Sequence, residues 1–135
     1  MIKNLSLALA LLSLASCGAN MDDSKNNGEP DGSHTSAEWQ IWAYSTAAPD
    51  FIGDFATVKD GNGKVIREGS NSWVCLAFNP MPEGGFNTPH DANPACGDAA
   101  SLAWVDAYMS NTIPEMKSDG WLWMLHGDTG VDNIR

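Results

Sequence analysis

A small single α+β domain is the fold class that this 135-residue chain predicts. Three observations carry it. Ala37–Ala48 and Asp98–Asn111 repeat apolar residues at helical spacing behind a side chain able to cap a helix. Two short runs rich in β-branched residues flank the turn Asp60-Gly61-Asn62-Gly63. Two more apolar runs, Ser72–Phe78 and Gly120–Leu125, have the length of strands. The expected arrangement is about two helices against a short antiparallel sheet of about four strands, with one disulfide.

The N-terminus comes first. Lys3 is followed by Leu5–Leu14, apolar apart from Ser6 and Ser13. One positive side chain and a short apolar run predict a secretory leader over residues 1–16, too short to span a bilayer as a mature helix. The run ends in Leu14-Ala15-Ser16-Cys17, which resembles the bacterial lipobox: a branched apolar residue, two small ones, then cysteine. Small residues let a peptidase approach the backbone. The thiol accepts the diacylglyceryl group and becomes the first residue after cleavage. Each buried methylene then contributes about 0.8 kcal/mol to anchoring. Gly18 rather than Asp follows the cysteine. The resemblance to enterobacterial lipoproteins therefore implies sorting to the outer membrane, facing the periplasm.

Residues 17–35 read as a lipidated cysteine and a flexible tether. Gly, Asn, Asp and Ser dominate there, Met21 is the only large apolar side chain, and His34 is expected to be solvated. The domain is expected over 36–135. The formal charge is −10, and −11 once Lys3 leaves with the leader. That balance argues against nucleic acid and against peripheral binding to anionic headgroups, so membrane contact is assigned to the lipid on Cys17.

Within the domain, Ser36 caps a helix carrying Trp39, Trp42, Ala43 and Thr46 on one face, and Pro49 ends it. Phe55–Lys59 and Lys64–Glu68 form a hairpin. Its turn lacks the ligands of a calcium loop: Lys64 stands fifth from Asp60 and Asn71 twelfth. Ser72–Phe78 is the third strand. Asn79–Ala95, with Pro80, Pro82, Pro89 and Pro94, is expected as one long loop. Asp98 caps the second helix, with Leu102, Val105 and Met109 on one stripe and Trp104 beside Tyr108 on another. Gly120–Leu125 is apolar on both faces, which predicts a central or covered strand.

Three cysteines less the lipidated Cys17 leave Cys75 and Cys96. An exported chain meets oxidants, and the chain has no C-x-x-C, so a disulfide closing the loop at its two ends is expected.

AAPDFIG (47–53), ATVKDGNGKVIREGSNSWVC (56–75), NPACGD (93–98) and WMLHGD (123–128) follow one another in an order that resembles a family of exported bacterial proteins. The resemblance covers roughly residues 37 to 130 and brings no activity. It implies that similar chains continue with further sheet-like sequence, so truncation at Arg135 is an expectation. An apolar strand left at an edge would then self-associate through Trp121, Trp123 and Leu125.

Site candidates are few. His90, Asp91, Asp98, His126 and Asp128 hold the residue types for a divalent metal or an acid/base pair, with His90, Asp98, His126 and Asp128 as the candidate metal ligands. No H-E-x-x-H or H-x-H fixes their spacing, so a polar loop and a strand end explain the histidines as well. Trp73, beside loop-like Asn71 and Ser72, is the indole expected to be exposed. With His90 and Asp91 it forms the candidate ligand contact. No nucleophile or phosphate-cradling loop stands out, and nothing implies a cofactor. The first expectation is a lipid-anchored envelope binding module that presents the long loop to a small-molecule, glycan or protein ligand. The second is a metal-dependent or acid/base enzyme, and the third a truncated fragment without activity of its own.

Overall fold

The computed structural model describes residues 28–130. The leader, the lipobox with Cys17 and most of the tether lie outside the described residues. The protein is a small α+β domain with one disulfide. In chain order it comprises α1 (Ala37–Ser45), α2 (Asp50–Gly53), β1 (Thr57–Lys59), β2 (Val65–Arg67), β3 (Val74–Ala77), α3 (Pro89–Ala92), β4 (Pro94–Gly97), α4 (Ala99–Met109) and β5 (Leu122–Trp123). The strands form one sheet in the order β2-β1-β3-β4-β5.

The first helix starts where its cap predicts. Ser36 Oγ accepts from Trp39 N at 3.2 Å. It ends at Thr46, before Pro49, and Pro49 then leads into the four-residue α2, which the sequence did not announce. Asp60 closes the hairpin turn as an Asx turn, its Oδ1 accepting from Asn62 N and Lys64 N, both at 2.9 Å. Gly63 has φ +79°, a conformation that favours glycine.

The sheet departs from the expected one in three ways. First, it is mixed, because β3 pairs parallel to β1. The link Glu68–Trp73 carries the chain past the start of β1. Asn71 Nδ2 donates to Ile52 O, while Ser70 N and Asn71 N donate to Phe55 O. A Cβ at Gly69 would collide with the backbone of Phe55, Ala56 and Thr57, so only glycine fits this crossing.

Second, the span expected as a single loop contains α3 and a fifth strand. Thr88 and Asp91 form a reciprocal capping box, and Asn93 turns the chain in the left-handed region at φ 49°. β4 then pairs with β3 residue by residue, Cys75 opposite Cys96 and Ala77 opposite Pro94. The disulfide therefore crosslinks two neighbouring strands rather than the ends of a loop. The remaining loop is pinned too: Phe86 is buried and Met81 packs on the core.

Third, β5 is an edge strand, where a central or covered one was expected. Its partner β4 covers one side only, and the chain leaves the sheet when Leu125 N bonds to Ala47 O.

The core lies between α1 and one face of the sheet. Trp39, Tyr44, Val58, Cys75 and Cys96 are fully buried there, and Ala43, Ala47 and Ala56 allow close approach. Successive strand residues point to opposite faces. Gly97, next to the core-facing Cys96, therefore looks the other way. A Cβ on it would meet Ser101 and Leu102 of α4 and Leu122 of β5. Here α4 crosses over β4, and it leaves much of its own surface uncovered.

Candidate functional site

The structure scatters the five acid/base candidates over three places. Asp91 serves the α3 cap, its Oδ2 accepting from Thr88 N at 3.0 Å and from Thr88 Oγ1 at 2.9 Å. Asp98 caps α4. Its Oδ1 accepts from Ser101 N at 2.8 Å and its Oδ2 from Trp121 N at 3.1 Å. The Ser101 bond, more than the Trp121 bond, holds this carboxyl below the usual carboxylate range. Asp98 thus fastens the start of α4 to the approach of β5. Asp128, two residues after His126, lines a groove beside α4. Among the described residues, no group of three or more His, Cys, Asp or Glu is placed to hold a metal ion.

The two histidines do meet. His90 Nδ1 lies 2.7 Å from His126 O. A carbonyl only accepts, so Nδ1 carries the proton. The His126 ring turns to α1, where its Nε2 is 2.9 Å from Thr46 Oγ1. The Thr46 hydroxyl hydrogen is already directed at the carbonyls of Trp42 and Ala43, so His126 Nε2–H donates to it. The pair ties α3, α1 and the chain after β5 together.

Burial, and then the neighbouring His90, push the His126 imidazole below its ordinary pKa. The unfolded chain therefore binds this proton at higher pH than the folded one. The resulting stability is present above the ordinary histidine pKa of about 6.5 and is lost as pH falls through the folded value. The urea midpoint is expected to drop as pH falls below the ordinary histidine pKa of about 6.5, and to drop less in His126→Gln. Equal pH slopes in the two proteins would contradict this account.

Trp73, expected exposed, is half-buried and packs against the core. The reason is local: Asn71 Oδ1 accepts from Trp73 N at 3.0 Å, folding the loop back onto the sheet. The better-placed exposed indoles are Trp104 and Trp121, at 48% and 69%.

Two features escaped the sequence reading. The first is a clasp. His34 stacks on Trp39, with ring centroids 4.5 Å apart and planes 14° apart. His34 Nδ1 lies 2.6 Å from Phe86 O, and Glu29 Oε1 takes both Trp39 Nε1–H at 2.8 Å and His34 Nε2 at 3.3 Å. Packing thus reaches back into the expected tether, and His34 is not simply solvated. No local signal marks these partners, since His34 and Phe86 are 52 residues apart.

The second is a groove of about 320 Å³ between α4 and the sheet. Trp104, Tyr108 and Met109 line it from the helix, and Phe78, Leu122 and Met124 from the sheet side. Tyr108 is 69% and Met109 76% exposed. The sequence placed Met109 on one stripe with Leu102 and Val105. Those two are half-buried, but the stripe outruns the narrow strand β4 beneath it. Met116 and Leu122 continue the apolar surface around Trp104. The chain matches no family model, no curated protein and no solved structure.

Proposed function

We propose that this is a lipid-anchored protein of the bacterial cell envelope, a binding module tethered through Cys17 and docking its partner on the α4–β5 face. The observation that carries the binding reading is that face. Soluble proteins rarely leave several large apolar side chains exposed together without a use for them. Here Trp104, Tyr108, Met109 and Leu122 sit side by side around one groove.

The compartment is supported by chemistry. A crosslink between Cys75 and Cys96 suits an oxidising location outside the cytoplasm. The leader-like run and Leu14-Ala15-Ser16-Cys17 supply the address and the anchor, with the outer membrane facing the periplasm as the destination.

This reading moves the binding surface from the proline-rich segment to α4, because Phe86 and Met81 hold that segment on the core. The test of the anchor is direct. Cys17→Ser is expected to abolish labelling by a clickable fatty acid and to shift the protein from the membrane pellet to the soluble fraction. A variant that still labels, or still pellets with membranes, would refute lipidation at Cys17.

A further inference from the structure

We infer that the α4–β5 groove takes a basic polypeptide segment carrying apolar side chains. The inference rests on the binding reading above and names the partner's chemistry. Two observations select it.

The first is charge. Asp128 lines the groove, and Asp106 is exposed on α4 between Val105 and Tyr108. Glu115 and Lys117 flank Met116 at the neighbouring end. From Asp98 to Asp128 the chain carries Asp98, Asp106, Glu115, Asp119 and Asp128 against Lys117 as the only Lys or Arg. Asp128 is thus the charged residue that lines the apolar floor, and the stretch of chain around it is net acidic. A second copy would bring acid against acid, and an anionic lipid surface would be repelled. A partner with lysine or arginine beside its apolar residues is attracted on both counts.

The second is the aromatic pair. Trp104 and Tyr108 stack with centroids 5.4 Å and planes 7° apart, and both are exposed. Stacked electron-rich faces beside carboxylates favour a cation, above all a guanidinium. The methionines Met109 and Met124 add side chains that adapt to varied apolar partners. An amphipathic segment laid in such a groove presents apolar anchors inward and charge to the rim.

The probe is a synthetic amphipathic peptide of leucine and lysine, titrated into the full chain in non-ionic detergent. Its counterparts replace lysine with glutamate or with glutamine. The lysine peptide is expected to bind, with affinity falling as salt is raised. Trp104→Ala with Tyr108→Ala is expected to weaken it by about tenfold or more, since exposed aromatics are frequent hot spots. Asp106→Asn with Asp128→Asn is expected to weaken it and flatten the salt dependence. Circular dichroism of each variant checks that the fold is retained.

Equal binding of the glutamine peptide would overturn the charge preference and leave the docking face standing. A concentration-dependent dimer in sedimentation, dissolved by Tyr108→Lys, would assign the face to a second copy instead. Lysine-peptide binding that the aromatic variants leave unchanged, or no binding at all, would remove this groove as its site. Membrane release in Cys17→Ser is read separately, so the anchor stands or falls on its own result.

Discussion

Removing the disulfide is expected to cost the domain about 2–5 kcal/mol, a large share of the roughly 5–15 kcal/mol that typically separates folded from unfolded chains. Cys75 and Cys96 are 21 residues apart in sequence and face each other across β3 and β4, with Cα atoms 4.0 Å apart. In the chain-entropy account, closing a loop of this length contributes about 3 kcal/mol through the unfolded state. The folded state adds a second term. Both sulfurs are fully buried under α1, and Cys96 Sγ lies 3.5 Å from the Tyr44 carbonyl oxygen. Alanine at both positions removes the crosslink and some volume. Serine at both positions also buries two hydroxyls, each costing about 1–3 kcal/mol where it finds no partner. The expected order of urea midpoints is oxidised wild type, then the double alanine variant, then the double serine variant. Dithiothreitol should lower the wild-type midpoint and leave both variants unchanged. A wild-type midpoint indifferent to reductant, with two thiols titrating in freshly isolated protein, would remove the crosslink from the account.

The parts of this fold that were legible in the sequence have their causes close together in the chain. Ser36 caps α1 within one turn, Asp98 does the same for α4, and Asp60 closes its own hairpin. Of the missed parts, α3 has its capping box close by, whereas the strand β4 and the parallel pairing have distant causes. Strand β4 reads Pro-Ala-Cys-Gly, with no β-branched residue and a proline that cannot donate to the ladder. It is a strand because β3 and β5 flank it and α1 covers it, and small residues suit a site buried on all sides. The parallel pairing of β1 with β3 depends on whether Gly69 can pass beneath Thr57, which no periodicity records.

The candidate site was less legible still. Asp91 and Asp98 looked chemically available, yet both carboxylates are engaged in capping. Composition cannot separate a catalytic carboxylate from a cap two residues after a proline or one residue before a helix. Tyr44 makes the same point from inside the core. Its hydroxyl is buried without a hydrogen-bond partner among the described residues, and burial, then the charge of Asp60, pushes its pKa up to about 12.

Tryptophan shows the limit most clearly, and it sets the second large effect. Trp39 and Trp121 are the same residue type, yet Trp39 is 1% exposed and Trp121 is 69% exposed. Trp39→Ala is expected to destabilise the domain by about 3–5 kcal/mol, the range for deleting a buried large aromatic. The indole fills the space under His34, meets Trp42 edge-on at 6.0 Å and stacks toward Phe86 at 6.5 Å. Its loss would open a cavity that rigid α1 and the crosslinked strands cannot readily collapse. It would also take the Nε1–H donor from Glu29, loosening the clasp. Trp39→Phe weighs the second contribution, since it keeps most of the packing while removing the bond to Glu29. It should cost about 1–3 kcal/mol, counting a charge-assisted hydrogen bond and a little volume. Trp121→Ala, at an exposed position, should stay within about 0.5 kcal/mol of wild type. Denaturant titration of the three variants, followed by circular dichroism so that the signal does not depend on the deleted indole, ranks them. If Trp39→Ala were no worse than Trp121→Ala, α1 would not be packed on the sheet through this residue, and the clasp built on it would fall as well.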